Sequence, residues 1–364
     1  MKSFTGRLGI MQRVLPSYRA PFFDLLAQHT AALSVFAGQP RRSEAIRSAT
    51  HLAIAHWQPA TNLHLFRGAL YLCYQRGVTA WLEQFNPDVL IVEANPRYLS
   101  TPQALRWMKA QGRRVLAWGL GAPPLSGPLA ALRHARRLQF LRQFDGLIAY
   151  SQHGAAQYRA LGLPAERIFV APNAVAPRPR APLASRPTRG PLTVLYVGRL
   201  QARKRLDALL RACAKLPSGQ QPRLVLVGDG PERTKLERLA QRIYPRTEFT
   251  GHLQGEALAH QFDRAELFVL PGTGGLAVQQ AMAHGLAVMV GEGDGSQADL
   301  VQAANGWQLP AGDDEALFAT LVSALQDRAA LHAMGATNYS LLQTRYNLET
   351  MAAAFIDAIH SVSR

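Results

Sequence analysis

The sequence predicts an α/β protein made of two doubly wound parallel-sheet domains, and three observations carry that expectation. Short apolar runs of strand length alternate with segments of helical periodicity through the first half. A proline- and arginine-rich stretch then interrupts, and the same alternation restarts after it. At 364 residues the chain is long enough for two domains, each with a core of its own.

In the first half, Leu8 to Gln12 reads as a strand, followed by Pro16-Ser17-Tyr18-Arg19 and a helix from Pro21 to Gln28. Further strands are expected at Ala32 to Phe36, Val89 to Val92, Val115 to Trp118, Gly146 to Tyr150 and Ile168 to Ala171, with helical patterns over Gly68 to Phe85 and Thr101 to Gln111. Pro172, Pro177, Pro179, Pro182, Pro187 and Pro191, mixed with arginines, cannot sustain a helix or a central strand. Strands resume at Leu192 to Val197, Leu224 to Val227, Glu248 to Thr250, Leu267 to Leu270 and Val288 to Val290. The expected division is a first domain over 1–172, a linker over 173–191, a second domain over 192–340, and a C-terminal helix in 341–364 that packs back on the first domain.

Composition narrows the class. Cys73 and Cys213 lie far apart and fit reduced, buried thiols rather than a disulfide framework. Lys2 and Arg7 are followed by no long apolar core, so no signal peptide is expected. The uncharged stretch Leu267 to Gly291 is broken by Pro271 and several glycines and reads as strand, loop and buried helix rather than a membrane span. The expected location is the cytoplasm, with peripheral contact at the inner face of the membrane.

The net charge of +16 is unevenly placed: residues 1–190 carry 24 Lys and Arg against 7 Asp and Glu, and residues 191–364 carry 16 against 17. Arg133, Arg136, Arg137 and Arg142 alternate with Leu129, Leu132, Leu138, Phe140 and Leu141 in a basic amphipathic helix that suits an anionic membrane surface, or simply a solvated face. Nucleic acid is not expected as a partner, because no zinc finger, helix-turn-helix or aromatic RNA-binding signature accompanies the charge. The histidines show no metal-ligand spacing.

One segment stands out chemically. Val197-Gly198-Arg199-Leu200-Gln201-Ala202-Arg203-Lys204 sets two cations between an apolar strand and a helix running from Asp207 to Leu216. Backbone N–H groups at a helix start, an arginine fork and a mobile ammonium together suit a phosphorylated ligand. Two basic residues solvating a loop is the plainer alternative.

Four further motifs follow in order: Val227-Gly228-Asp229-Gly230-Pro231, Phe249-Thr250-Gly251, Leu270-Pro271-Gly272-Thr273-Gly274-Gly275, and Gln280-Ala281-Met282-Ala283. With Val197-Gly198-Arg199-Leu200 and Lys204 they resemble the nucleotide-binding half of family 4 glycosyltransferases of the GT-B type. Those proteins have two Rossmann-like doubly wound domains facing a central cleft. The first half is similar more loosely, through the strand end at Ser151 and the turn Ala171-Pro172-Asn173.

The resemblance implies a nucleoside-diphosphate-sugar donor, a lipid-linked or glycan acceptor, transfer with retention, and no metal or other cofactor. Donor contacts carried over are Gly198, Arg199, Lys204, Gly272, Thr273, Gly274, Gly275, Leu276 and Gln280. Two of these depart from the family pattern: Gln280 and Gly272 stand where it has glutamates for the ribose and the donor sugar. The usual first-half histidine is also missing, since that segment reads Trp118-Gly119-Leu120-Gly121, and Pro16 to Arg19 replaces a glycine pair. No residue is assigned as catalytic. Tyr18, Arg19, Glu93, Asn95 and Arg97 are the acceptor-side candidates, because they follow the ends of strands. Asp294 and Asp299 are loop acids suited to capping and turns. The departures also fit a second reading, a catalytically silent relative that binds nucleotide or a partner in a polysaccharide-assembly complex.

Overall fold

The computed structural model describes residues 2–41, 44, 46–183, 185–186, 188–293 and 296–363, so Pro187 and Asp294 lie outside the described residues. The chain forms two compact units. Unit 1 comprises Met1–Val175 with Leu348–Arg364, and unit 2 comprises Ala176–Asn347.

Unit 1 runs β1 (Phe4–Val14), α1 (Ala20–Ala27), β2 (Thr30–Gly38), β3 (His56–Pro59), β4 (Thr61–Leu65), β5 (Leu72–Arg76), α2 (Val78–Phe85), β6 (Val89–Glu93), α3 (Thr101–Ala110), β7 (Arg114–Gly119), α4 (Ala130–Leu141), β8 (Gly146–Ala149), α5 (Gln152–Ala160) and β9 (Ile168–Val170). Seven strands pair in parallel in the order β3-β2-β1-β6-β7-β8-β9. Successive side chains on a strand point to opposite faces, so each face has its own core. Ile10, Val35, Ile91, Leu116 and Ile148 face α1 and the C-terminal helix Leu348–Val362. Met11, Phe36, Leu90, Val92, Ala117 and Leu147 face the other way, against α2, α3 and α5.

The helical expectation over Gly68 to Phe85 holds only from Val78. Gly68–Leu70 is a single tight turn, and Leu72–Arg76 is a strand paired antiparallel with Thr61–Leu65, from Thr61 opposite Arg76 to Leu65 opposite Leu72. Gly77, with φ of +88°, ends that strand and turns the chain into α2. Cys73 and Gln75 are buried on one face of β5, and this pairing outweighs the apolar spacing that suggested a helix.

Unit 2 repeats the architecture with β10 (Thr193–Val197), α6 (Leu206–Lys215), β11 (Arg223–Val227), α7 (Arg233–Ile243), β12 (Thr247–Gly251), α8 (Gly255–Asp263), β13 (Leu267–Leu270), α9 (Ala277–Ala283), β14 (Ala287–Gly291), α10 (Ser296–Leu300), β15 (Gly306–Leu309), α11 (Asp314–Gln326) and α12 (Arg328–Thr344). Its six parallel strands are ordered β12-β11-β10-β13-β14-β15, and a single apolar core fills both sides. Cys213 is buried there and Cys73 in unit 1; both are free thiols.

The observed division differs from the expected one at two places. Most of the expected linker belongs to unit 2, because its polar groups are tied down on that unit. The Arg186 guanidinium donates to the carbonyls of Phe262, Asp263, Ala265 and His284, Arg328 donates to Gly190 O, and Tyr339 donates to Ala181 O. Near the end of the chain, α12 runs unbroken past residue 340 to Thr344. The crossing back to unit 1 therefore falls between Asn347 and Leu348.

Candidate functional site

In an open parallel sheet the strand order reverses at one point, and the loops leaving the carboxyl ends of the two strands there diverge to leave a crevice. In unit 2 that point lies between β10 and β13. β10 exits into Gly198-Arg199-Leu200, and β13 exits into Pro271-Gly272-Thr273-Gly274-Gly275. The topology alone thus brings together motifs some seventy residues apart.

The turns interlock through backbone. Gly198 N–H donates to Val227 O at 2.9 Å, Leu200 N–H to Asp229 O at 2.9 Å, and Gly228 N–H to Gly251 O at 2.7 Å. A Cβ on Gly228 would lie 2.0 Å from Gly198 O, and one on Gly230 would lie 2.3 Å from Leu200 O. The glycines of the Val-Gly-Asp-Gly turn therefore let the strand ends pack main chain against main chain.

Lys204 is not the mobile ammonium the sequence suggested. It sits on the tight turn Ala202–Lys204 ahead of α6, 5% exposed, and its Nζ donates to Thr273 O at 2.7 Å and to Gly274 O. Arg203 adds a second tie to Thr273 O at 3.1 Å, and Thr273 N–H returns a bond to Arg203 O at 3.1 Å. Arg199 is exposed at the exit of β10. Gly272 is pressed against this turn, where a Cβ would lie 2.0 Å from Arg203 O and 2.6 Å from Lys204 Cα. Gly274 has φ of +64°, Leu276 caps α9, and Gln280 is exposed on α9 while its neighbour Gln279 is buried. Asp299 lies within α10, its carbonyl accepting from Tyr346 Oη at 2.6 Å.

Unit 1 has its own reversal point, between β1 and β6. Arg13 near the end of β1 donates its N–H to Glu93 Oε2, at the end of β6, across 2.5 Å. Burial pushes the Glu93 carboxyl up to about 7, against the pull of that N–H and of the Arg13 charge. The Arg13 guanidinium is paired with Glu44 at 2.8 Å. Tyr98 stands close enough to both Glu93 and Arg13 to feel their charges.

Of the other acceptor-side candidates, Asn95 Oδ1 accepts from the Arg97 N–H at 3.1 Å, while Arg97 and Tyr18 are exposed. Arg19 is not at a rim. It is buried over the Trp118 ring, 5.1 Å from its centroid, and donates to Ala174 O at 3.0 Å and to Asn173 Oδ1. This arginine locks the chain after β1 to the end of unit 1. Sequence reasoning missed Arg13, Gln12 and Glu44. Gln12 is buried next to the reversal point, and its Nε2 has no hydrogen-bond partner among the described residues. The available signal was a polar pair, Gln12-Arg13, directly after the apolar run Leu8 to Met11. Among the described residues no cluster of His, Cys, Asp or Glu is arranged to hold a metal.

Both halves of the chain have counterparts among known proteins. Residues 24–179 match the model of Glycosyltransferase Family 4, and residues 182–340 that of Glycosyl transferases group 1. The chain is 32% identical over 149 residues to the sulfoquinovosyl transferase SQD2 of Arabidopsis thaliana, covering 39% of this chain and 28% of that protein. It is 25% identical over 285 residues to the lipopolysaccharide core biosynthesis glycosyltransferase LpsD of Rhizobium meliloti, covering 76% of each. Over the first few curated relatives the match spans less than half of their length. The crystal structure of Anabaena HepE in complex with UDP superposes with a TM-score of 0.70 at 17% identity, covering 99% of this chain and 100% of that one. Each half of the chain thus matches a glycosyltransferase family model, and the fold over its whole length is the two-domain GT-B fold.

Proposed function

We propose that the protein transfers a sugar from a nucleoside-diphosphate sugar to a lipid-linked or polysaccharide acceptor, with retention at the anomeric carbon. The observation that carries this reading is the convergence at the unit 2 reversal point of Arg199, Lys204 and the glycine loop 272–275, with Lys204 bonded to the loop carbonyls. As the bond from the anomeric carbon to the phosphate oxygen breaks, its electron pair and the growing negative charge pass to the diphosphate. Arg199, Lys204 and loop N–H groups stabilise that charge, an interaction stronger in the transition state than in the ground state. The acceptor oxygen forms the new bond, and its proton passes to the oxygen of the departing diphosphate. The position of Gln280 suits the ribose through its amide, a neutral donor and acceptor. Gly272 has no side chain to offer the sugar, so sugar contacts fall to backbone or to another residue. Glu93, its carboxyl pushed up to about 7, and the Gln12 Nε2, which has no hydrogen-bond partner among the described residues, suit an acceptor hydroxyl at the reversal point of unit 1. Names among the relatives support the acceptor class: a monoacylated phosphatidylinositol monomannoside mannosyltransferase and a lipopolysaccharide core glycosyltransferase.

Titration calorimetry with UDP and GDP tests the donor assignment. Arg199→Ala and Lys204→Ala are each expected to weaken the preferred diphosphate by at least about tenfold, since each charged hydrogen bond contributes about 1.5–3 kcal/mol. Unchanged affinity in both variants rules the assignment out. The alternative, a silent nucleotide-binding relative, is favoured by the absence of acids at Gly272 and Gln280. Slow release of free sugar from one donor in a hydrolysis assay decides for the enzyme.

A further inference from the structure

In unit 1 all seven strands of the main sheet run parallel, so every connection that follows a strand leaves from the same edge. The exposed large apolar side chains of this unit gather on those connections. Leu65, Phe66 and Leu70 lie on the β4–β5 hairpin after β3, Tyr18 follows β1, Leu99 follows β6, and Leu120, Leu129 and Leu132 follow β7; among the described residues only Ile54 lies elsewhere. The hairpin is fixed to this edge at its base. Asn62 Nδ2 donates to Arg13 O at 2.7 Å and to Gln39 O at 2.9 Å, while Cys73 N–H donates to Arg97 O at 3.0 Å and Leu99 N–H to Cys73 O at 2.8 Å, Arg97 and Leu99 both lying in the segment after β6.

The three most exposed of these side chains are Leu70 at 74%, Leu129 at 71% and Phe66 at 66%. Phe66 and Leu129 also take left-handed backbone conformations, with φ of +56° and +59°, which bulky residues seldom adopt. Glycine would suit both turns better, so the folding of the turns does not account for the apolar side chains there.

Charge identifies the occupant. No aspartate or glutamate occurs between Glu44 and Glu83, nor between Glu93 and Asp145, and the second interval holds nine lysines and arginines. Arg67 stands at the hairpin tip, and Arg97, Arg133 and Arg136 are exposed along the same edge. Residues 131–136, the first turns of α4, are exposed throughout, Leu132 with them. Apolar side chains interleaved with uncompensated cations match the boundary between acyl chains and anionic headgroups. Nucleic acid satisfies the cations but leaves the leucines and Phe66 in water.

We propose that this edge of unit 1 inserts into an anionic lipid surface, with the β4–β5 hairpin tip, Phe66 and Leu70, as its leading wedge beside the basic helix α4. The proposal does not depend on the donor assignment, which is read separately by calorimetry with soluble nucleotide. The test is sedimentation of the full chain with vesicles of phosphatidylglycerol and phosphatidylcholine, against vesicles of phosphatidylcholine alone. The wild type is expected to bind the anionic vesicles, less so as salt rises. Phe66→Asp combined with Leu70→Asp is expected to weaken that binding by at least about tenfold, with an unchanged melting temperature and unchanged UDP or GDP affinity. A second variant, Phe66→Cys carrying an environment-sensitive fluorophore, is expected to shift to the blue on anionic vesicles and to be quenched by spin-labelled lipid at shallow depth. Labelling of the wild type, whose two cysteines are buried, sets the background. Equal binding by the double variant, no spectral shift at position 66, or equal binding to neutral vesicles overturns the proposal.

Discussion

At the residue scale, the most constrained position of the candidate donor site is Gly272. Its neighbours at Cβ distance are main-chain atoms of Arg203 and Lys204, which cannot rotate away as a side chain could. Gly272→Ala is therefore expected to push the glycine loop off the Ala202–Lys204 turn. The expected cost is about 1–3 kcal/mol of stability, together with weakened nucleotide binding, read by thermal unfolding and calorimetry. A variant that melts and binds like the wild type shows that the loop does not need this close approach. Glu93 gives a prediction of a different kind. Its folded-state value of about 7 lies above the ordinary 4.5, so the native state favours the protonated carboxyl. The stabilisation is complete below about pH 4.5 and is lost as the pH rises through 7. Glu93→Gln keeps an acceptor for the Arg13 N–H but cannot ionise. Its stability relative to the wild type is expected to rise by about 2–3 kcal/mol between pH 5 and pH 8. A difference that stays flat over that range means the carboxyl does not titrate there.

At the element scale, the parallel strands were legible and the hairpin was not. Strands such as Val89–Glu93 and Leu267–Leu270 are buried on both faces and read as unbroken apolar runs. Leu72–Arg76 is different: Cys73 and Gln75 turn inward, Leu72 and Tyr74 are half-buried, and its partner Thr61–Leu65 is half polar. Only the pairing with that partner and the bonds of Gln75 to Ser100, Gln12 and Asn62 make it a strand, and no local spacing announces them. The site shows the same contrast. Gly198, Arg199 and the glycine loop stood out because glycines and a cation follow directly on apolar strands at the turn into a helix. Arg13 and Glu93 meet only because β1 and β6 are neighbours in the sheet although some eighty residues separate them. Arg19 misled for the same reason, since its position after β1 suggested a rim and its partners Asn173 and Ala174 come from the far end of the unit.

At the scale of the whole molecule, the chain crosses between units twice, after Val175 and after Asn347, and the two apolar cores of unit 1 are separate from the one of unit 2. The second crossing makes unit 1 depend on the last residues of the chain. Met351, Phe355, Ile356 and Ile359 are fully buried against one face of its sheet, with Phe355 4.9 Å from the Phe22 ring and 5.0 Å from the Trp118 ring in edge-to-face contact. Phe355→Ala is expected to cost about 3–5 kcal/mol, all of it in unit 1. Since unit 2 keeps its own core and its strapped-down linker, denaturant unfolding should then resolve two transitions, the first moved to lower denaturant and the second in place. A nucleoside diphosphate binds only the folded form of its site, so saturating UDP or GDP should raise the second transition alone. If instead the Phe355→Ala variant unfolds in one transition that nucleotide shifts as a whole, the two units are energetically one. Loss of the C-terminal helix would then disable donor binding at a distance, rather than leaving a unit 2 that still holds nucleotide.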